Sequence, residues 1–484
     1  MSRGGQATAR ARHARARTSG LAAAVLCSGS FVAAAGVAQE RDERALFGGE
    51  EAADETGAAT PTAPGGDLGD ERMQGQAIEN KDLLLRDRLQ IGGMFYARQG
   101  VAKARDVGFG AMTLAQSSLV DVYLDGRVNE RVRAYVRGRL AWNPLADVAA
   151  GAGSGFSAAG PGEEVRVGLD QLWLKWDLGR TAYLTLGSQH VRYGATRIWN
   201  PGDVVNRTRR NPLQFFDERT GVPMLKVHVP WEARGWNFYG LLLTDDATTL
   251  DKVGAILRSE VVVGPAEVGL TGLARKGDDP RVALDVSAGV WELDLMAETG
   301  LQVGDGEVLW QASAGVAWTW PYREDDSLTV GLEWFHNPQG FESERDAVDA
   351  AAKALLTGAA SPIVPLYTSR DYVGALAVVA SPGDWKDVSV SAIALTSISD
   401  RSGLVRLALQ GRVLTDLGVE AFVAGVWGEG EFSGYAGEIK ERLAAFEATR
   451  AALPRDVRPL PLPLQSANVH GPLGQVGLNL RVDL

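Results

Sequence analysis

The chain has 484 residues, a formal net charge of −11 and one cysteine, Cys27. The acidic balance argues against nucleic acid as a partner. The lack of further cysteines excludes a disulfide framework and Cys-based metal or cluster sites. No HExxH, G-x-S-x-G or phosphate-binding glycine loop occurs, so no catalytic residue, metal or cofactor is expected.

Chain order begins with a basic stretch, Arg3, Arg10, Arg12, Arg15 and Arg17, followed by a mostly apolar run from Leu21 to Val37. Gly36-Val37-Ala38 places small residues at a cleavage position. Residues 1–38 are therefore expected to be a secretory signal, with the mature chain starting at Gln39. Cys27 lies inside the apolar run, after Ala24 and Leu26, which is not a lipoprotein context. Residues 39–80 are rich in Glu, Asp, Ala, Gly, Thr and Pro and cannot build a core, which predicts a disordered acidic periplasmic leader. Later apolar runs, such as Tyr372 to Ala380, are far too short for a helical membrane span.

Over residues 81–484 the hydrophobic period becomes two. Arg131 to Leu140 and Gln475 to Leu484 alternate polar and apolar positions, as do Val253–Val263, Glu267–Arg275, Leu309–Trp320, Ser327–Phe335 and Leu404–Leu414. These segments have the length of tilted membrane strands, about 9–11 residues. Short links, such as 126–130, 177–180 and 263–266, alternate with longer ones, such as 99–113, 143–162, 195–220, 336–370 and 428–471. Trp176, Trp231, Trp236, Trp291, Trp318, Trp320 and Trp385 fall at the short-link end, and Trp142, Trp310, Trp334 and Trp427 at the other. Sorted links and two aromatic belts predict an all-β fold, a transmembrane antiparallel β-barrel of about eighteen strands, with sixteen as the alternative count. Both chain ends are expected in the periplasm and the barrel in the outer membrane of a Gram-negative bacterium. A phase change at Asp170-Gln171 predicts a β-bulge. Glu344–Leu356 and Gly437–Leu453 carry helical composition inside two long loops.

The polar phase carries the candidate functional residues. Arg131, Arg133, Tyr135, Arg137 and Arg139 share one strand face, and Asp121 and Asp125 the face of the preceding strand. Arg258, Arg406 and Arg412 lie on other polar faces. Charge on the lipid side is costly, so these residues are expected to line the lumen. The arginines read either as a ladder favouring anions or as cross-strand ion pairs that hold the wall.

The most distinctive stretch is Gly187-Ser188-Gln189-His190-Val191-Arg192-Tyr193-Gly194, then Trp199-Asn200-Pro201-Gly202-Asp203-Val204-Val205-Asn206, Arg209-Arg210-Asn211-Pro212 and Asp217-Glu218-Arg219. The Asn-Pro turn formers predict a strand leaving the membrane into an ordered, salt-bridged loop at the pore mouth. Gln189, Arg192, Asn200, Asp203, Asn206, Arg209, Arg210, Asp217 and Arg219 are its candidate residues. This stretch resembles outer-membrane porin-like families related to alginate-export channels, whose pattern is a G-x-Q-x-x-x-W/Y-G strand before an N-P-x-D-x-x-N-P loop. Arg207 stands where that pattern usually has proline, Tyr193 where tryptophan is the commoner of its two residues, and the terminal Leu484 where such barrels carry an aromatic assembly signal. The expected role is passive diffusion of small hydrophilic solutes, with anions among the candidates. The resemblance implies export of an acidic polysaccharide as one alternative, and a non-conducting envelope scaffold is another. The expected partners are outer-membrane lipid, the solutes and the barrel-assembly machinery.

Overall fold

The structure is a computed structural model. It describes residues 88–104, 108–145, 164–213, 217–304, 307–323, 326–357, 363–364, 366–385, 387–433, 435, 441–442, 444–445 and 472–484. The expected signal, the acidic leader, most of the 143–162 link and most of the Gly437–Leu453 segment lie outside the described residues.

Among the described residues, eighteen strands run in sequence. They are β1 (Leu89–Ala104), β2 (Thr113–Asn129), β3 (Val132–Trp142), β4 (Val165–Asp177), β5 (Tyr183–Gln189) and β6 (Val222–Trp231). Next come β7 (Trp236–Leu243), β8 (Gly254–Val263), β9 (Ala266–Ala274), β10 (Arg281–Val290), β11 (Leu293–Gly304) and β12 (Glu307–Pro321). The last are β13 (Ser327–His336), β14 (Asp371–Ala380), β15 (Val388–Ser397), β16 (Gly403–Leu414), β17 (Leu417–Trp427) and β18 (Pro472–Asp483). Each pairs antiparallel with its sequence neighbours, and β1 pairs with both β2 and β18, so the sheet closes into a barrel. At the seam, Gly93 and Leu484 exchange backbone hydrogen bonds of 3.0 and 2.8 Å. No described helix is long and apolar enough to cross a membrane.

The outward phase is apolar, as at Leu172, Leu257, Leu332, Leu407 and Val476, all exposed. Trp231, Trp291, Trp320 and Trp385 are exposed at the short-turn end, and Trp142, Trp310, Trp334 and Trp427 at the long-loop end. The two belts thus sit where the alternation predicts. The bulge is also present: Arg137 faces Gln171 and Gly138 faces Leu169, leaving Asp170 as the extra residue of β4. Helix α1 (Glu344–Thr357) occupies the β13–β14 loop as its composition predicts. Several boundaries differ from the reading of the sequence, and β2 runs to Asn129, through most of the expected 126–130 link. β1 continues to Ala104, through part of the expected 99–113 link, because residues 99–102 still pair with both neighbouring strands. Arg131 lies in the turn before β3 and is exposed, so it is not part of the arginine face.

Candidate functional site

Strand alternation sends Asp121 and Asp125 of β2, Arg133, Tyr135, Arg137 and Arg139 of β3, and Asp170 of β4 to the inner face, where all are buried. Cross-strand spacing then decides their partners. Arg133 donates through Nε and Nη2 to the two carboxylate oxygens of Asp125, at 2.8 and 2.5 Å. Arg139 makes the same fork to Asp121, both bonds 2.8 Å. The bulge turns Asp170 inward beside Gln171, within 2.6 Å of Arg137 Nε, 3.4 Å of Arg139 Nη2 and 3.1 Å of His190. Tyr135 stacks between Tyr123 and Trp173, at 5.8 and 5.3 Å between ring centroids. Across the barrel, Arg258 bridges Glu260 and Asp285 at 2.9 and 2.6 Å, and Arg406 pairs with Glu420. Arg412 is exposed on the inner phase of β16, at the short-turn end. The arginine face is therefore a network of wall pairs, forked at Arg133–Asp125 and Arg139–Asp121 and made through Nε at Arg137–Asp170. A forked guanidinium–carboxylate pair directs its donors at one partner, which leaves little net field for a passing ion.

The loop between β5 and β6 (residues 190–221) does not stay at the pore mouth. It descends along the inner wall to carboxylates in the middle of strands. Glu298 of β11 accepts from Thr196 N, Thr196 Oγ1 and Gly202 N, at 3.2, 2.7 and 2.5 Å. Glu333 of β13 accepts from Arg197 N, Ile198 N and Trp199 N, at 2.9, 3.0 and 2.8 Å. Gly194 has φ +114°, and a Cβ there would lie 2.5 Å from Glu298 Oε1, so glycine permits both the turn and the approach. Trp199 is fully buried among Phe335, Tyr372, Leu395, Leu404 and Val426, all on the inner phase of β13–β17. Val204 and Val205 enter a second cluster with Met224, Leu241, Leu243, Ile256 and Leu273 of β6–β9. The reason for the inward course is burial: these inner positions are apolar, and the loop's apolar side chains remove them from water.

The expected loop residues are brought together, mostly with one another. Arg192 donates to Thr196 O and Asn200 Oδ1, both at 3.0 Å. Asn206 Nδ2 bonds Val191 O and Asp203. Arg219 joins Asp217 at 2.6 Å to Asp203 at 3.0 Å. Burial opposes ionisation of Asp217, but the hydrogen bonds and charge of Arg219 outweigh it and hold the carboxyl below its usual range. At Asp203 burial wins and the carboxyl is pushed up. Arg210 is buried and reaches Arg197 O at 3.3 Å. Gln189 is buried on the inner phase at the end of β5. Arg209 lies 4.2 Å from the ring centroid of Tyr367.

A second layer closes over this loop. Trp199 Nε1 donates to Leu366 O of the β13–β14 loop (337–370) at 3.2 Å. Glu431, in the β17–β18 loop (428–471), accepts from Tyr367 N, Ser369 N and Tyr372 Oη. Asp400, in the β15–β16 loop, accepts from Glu431 N and Tyr435 Oη, both at 2.7 Å. Reading the sequence missed Glu298, Glu333, Glu431 and Asp400 as organising residues. One signal was available for Glu333: its direct partners on β12 and β14 are Gly315 and Gly374, which leave backbone room beside a carboxylate lacking a basic neighbour. Among the described residues no His, Cys, Asp and Glu group is arranged to hold a metal.

No protein-family model matches the chain, and no curated protein does. Among solved structures, the chain is similar to OccK11 (OpdR) of Pseudomonas aeruginosa, at 9% identity and a TM-score of 0.47, covering 82% of this chain and 96% of that one. It is similar to Pseudomonas aeruginosa OpdK with vanillate, at 10% identity and 0.47, covering 81% and 98%. A mutant porin of Rh. blastica matches at 12% identity and 0.39, covering 82% and 100%. Scores this low carry no argument about this chain, whose barrel rests on its own strand order and register.

Proposed function

We propose that this chain is a non-enzymatic outer-membrane channel for passive diffusion of small hydrophilic solutes. Short turns and both chain ends face the periplasm in this reading. The carrying observation is the closed wall of eighteen strands, apolar outside between two tryptophan belts and carrying a charged sector inside. Barrels of about 16–18 strands enclose enough space for an aqueous channel. The refolded chain in planar bilayers should give discrete conductance steps. A chain that inserts and migrates heat-modifiably on gels, yet never conducts, contradicts the proposal.

That outcome would favour the scaffold reading, which has one specific observation behind it: the β5–β6 loop occupies part of the bore. Anion preference loses the support of Arg133, Arg137 and Arg139, because each is matched by a carboxylate. Arg209, beside the Tyr367 ring, and Arg412, exposed on the inner phase of β16, are arginines on which such a preference would rest. Polymer export draws on the sequence resemblance alone.

A further inference from the structure

We infer that Glu333 and Glu298 are positioning residues that clasp the backbone of the β5–β6 loop, making the constriction of the bore a fixed part of the wall rather than a moving gate. The segment 196–202 is held at both ends. At one point three successive N–H groups, of Arg197, Ile198 and Trp199, converge on a single carboxylate, Oε2 taking the first two and Oε1 the third. Consecutive backbone donors arranged this way form a nest that ordinarily receives an anion. Here the anion is supplied by the barrel wall. Ser313 Oγ completes Glu333 Oε1 at 3.0 Å. At the other point Glu298 closes around Thr196 and Gly202. Lifting the loop would break all of these bonds together, and hydrogen bonds to a carboxylate are stronger than neutral ones.

The wall is shaped for the same contact. A Cβ on Gly374, beside Glu333, would lie 2.5 Å from Ile198 Cδ1 and 3.1 Å from Trp199 Cζ3. Trp199 then stacks on Phe335 with centroids 5.5 Å apart. Recognition through backbone N–H groups fixes the course of the chain, whichever side chains point into the remaining lumen.

Hydrogen exchange of the intact protein in lipid nanodiscs tests this directly. Amides of 196–202 should exchange as slowly as those of β11 and β13. Glu333→Gln keeps the size of the side chain but replaces one accepting oxygen by an amide nitrogen. It should reduce protection of 197–199 at least tenfold, and Glu298→Gln with Glu333→Gln should reduce it across the whole segment. In bilayers the double variant should gain conductance and rapid current fluctuations while the barrel stays heat-modifiable. Fast exchange of 196–202 in the wild type, or unchanged protection in the double variant, overturns the inference. The conductance arm rests on the channel reading and the exchange arm does not. A wild type that passes no current therefore defeats that reading and leaves the exchange result to decide the clasp.

Discussion

The inner faces of β2–β4 and of β13–β15 solve one problem in opposite ways. The first is charged, with Asp121, Asp125, Arg133, Arg137, Arg139 and Asp170 buried in mutual pairs. The second is largely apolar, with Phe335, Tyr372, Ile393 and Leu395 covered by Ile198 and Trp199 of the β5–β6 loop and the buried carboxylate of Glu333 taken by the same loop's backbone. A charged inner face can be satisfied by its neighbouring strands, whereas an apolar one needs a cover from elsewhere in the chain. The difference teaches that the bore is asymmetric, with one sector self-contained and the other completed by a loop.

The largest effect should come from breaking the charged sector. Arg137→Gln with Arg139→Gln leaves Asp170 buried beside His190 alone and Asp121 without its fork. Unpairing a buried ion pair costs about 3–5 kcal/mol. A lower unfolding temperature of the heat-modifiable barrel should show this, with little change in reversal potential across a salt gradient. A marked loss of anion preference in a normally stable barrel would restore the ladder reading. Trp199→Ala acts on the other sector. Emptying a site between Phe335 and Tyr372 costs about 3–5 kcal/mol. It should expose the β5–β6 loop to protease while sparing the barrel. Cleavage no faster than in the wild type would show that the apolar sector needs no cover.

A smaller effect concerns the second layer. Burial, with the charge of Asp400 behind it, pushes the Glu431 carboxyl from its ordinary 4.5 to about 7, against the donors of Tyr372, Ser369 and Thr368. The packed loops therefore hold a proton that loosened loops release. Their stability is fully present below about pH 4.5 and declines as pH rises through about 7. Exchange protection of the Tyr367–Ser369 amides, corrected for intrinsic rates, should be greater at pH 5 than at pH 8. Glu431→Gln should flatten that dependence, and protection that rises with pH would contradict it. The mildest test is Gly374→Ala, which inserts a methyl against Ile198 and Trp199 and should cost about 1–3 kcal/mol of loop docking. Gly272→Ala, with nothing within 4 Å of its Cβ, is the matched control and should leave protease sensitivity unchanged.

The charged sector was legible in the sequence because its partners are local. Period two placed Arg133–Arg139 opposite Asp121 and Asp125, and the phase slip announced the bulge at Asp170. The tryptophan belts and the sorted turns were legible for the same reason. The loop's inward course was not. Tyr372–Ala380 showed only as an apolar run, and nothing in its spacing pointed to Trp199 as its cover. Glu298 and Glu333 could not be picked out, because their partners are backbone N–H groups 96 to 136 residues away, which side-chain patterns do not record.

The most direct measurement of the two-sector account is spin labelling of single cysteines placed in a Cys27→Ser background in lipid. Along β15, labels at Ala392, Ala394 and Thr396 should collide with oxygen dissolved in the bilayer, and a label at Ile393 should be reached neither by oxygen nor by a water-soluble nickel chelate. A label at Arg412, exposed on the inner phase of β16, should be reached by the chelate. Chelate access at Ile393 equal to that at Arg412 would contradict a covered apolar sector, and a loss of alternation along β15 would contradict the barrel itself.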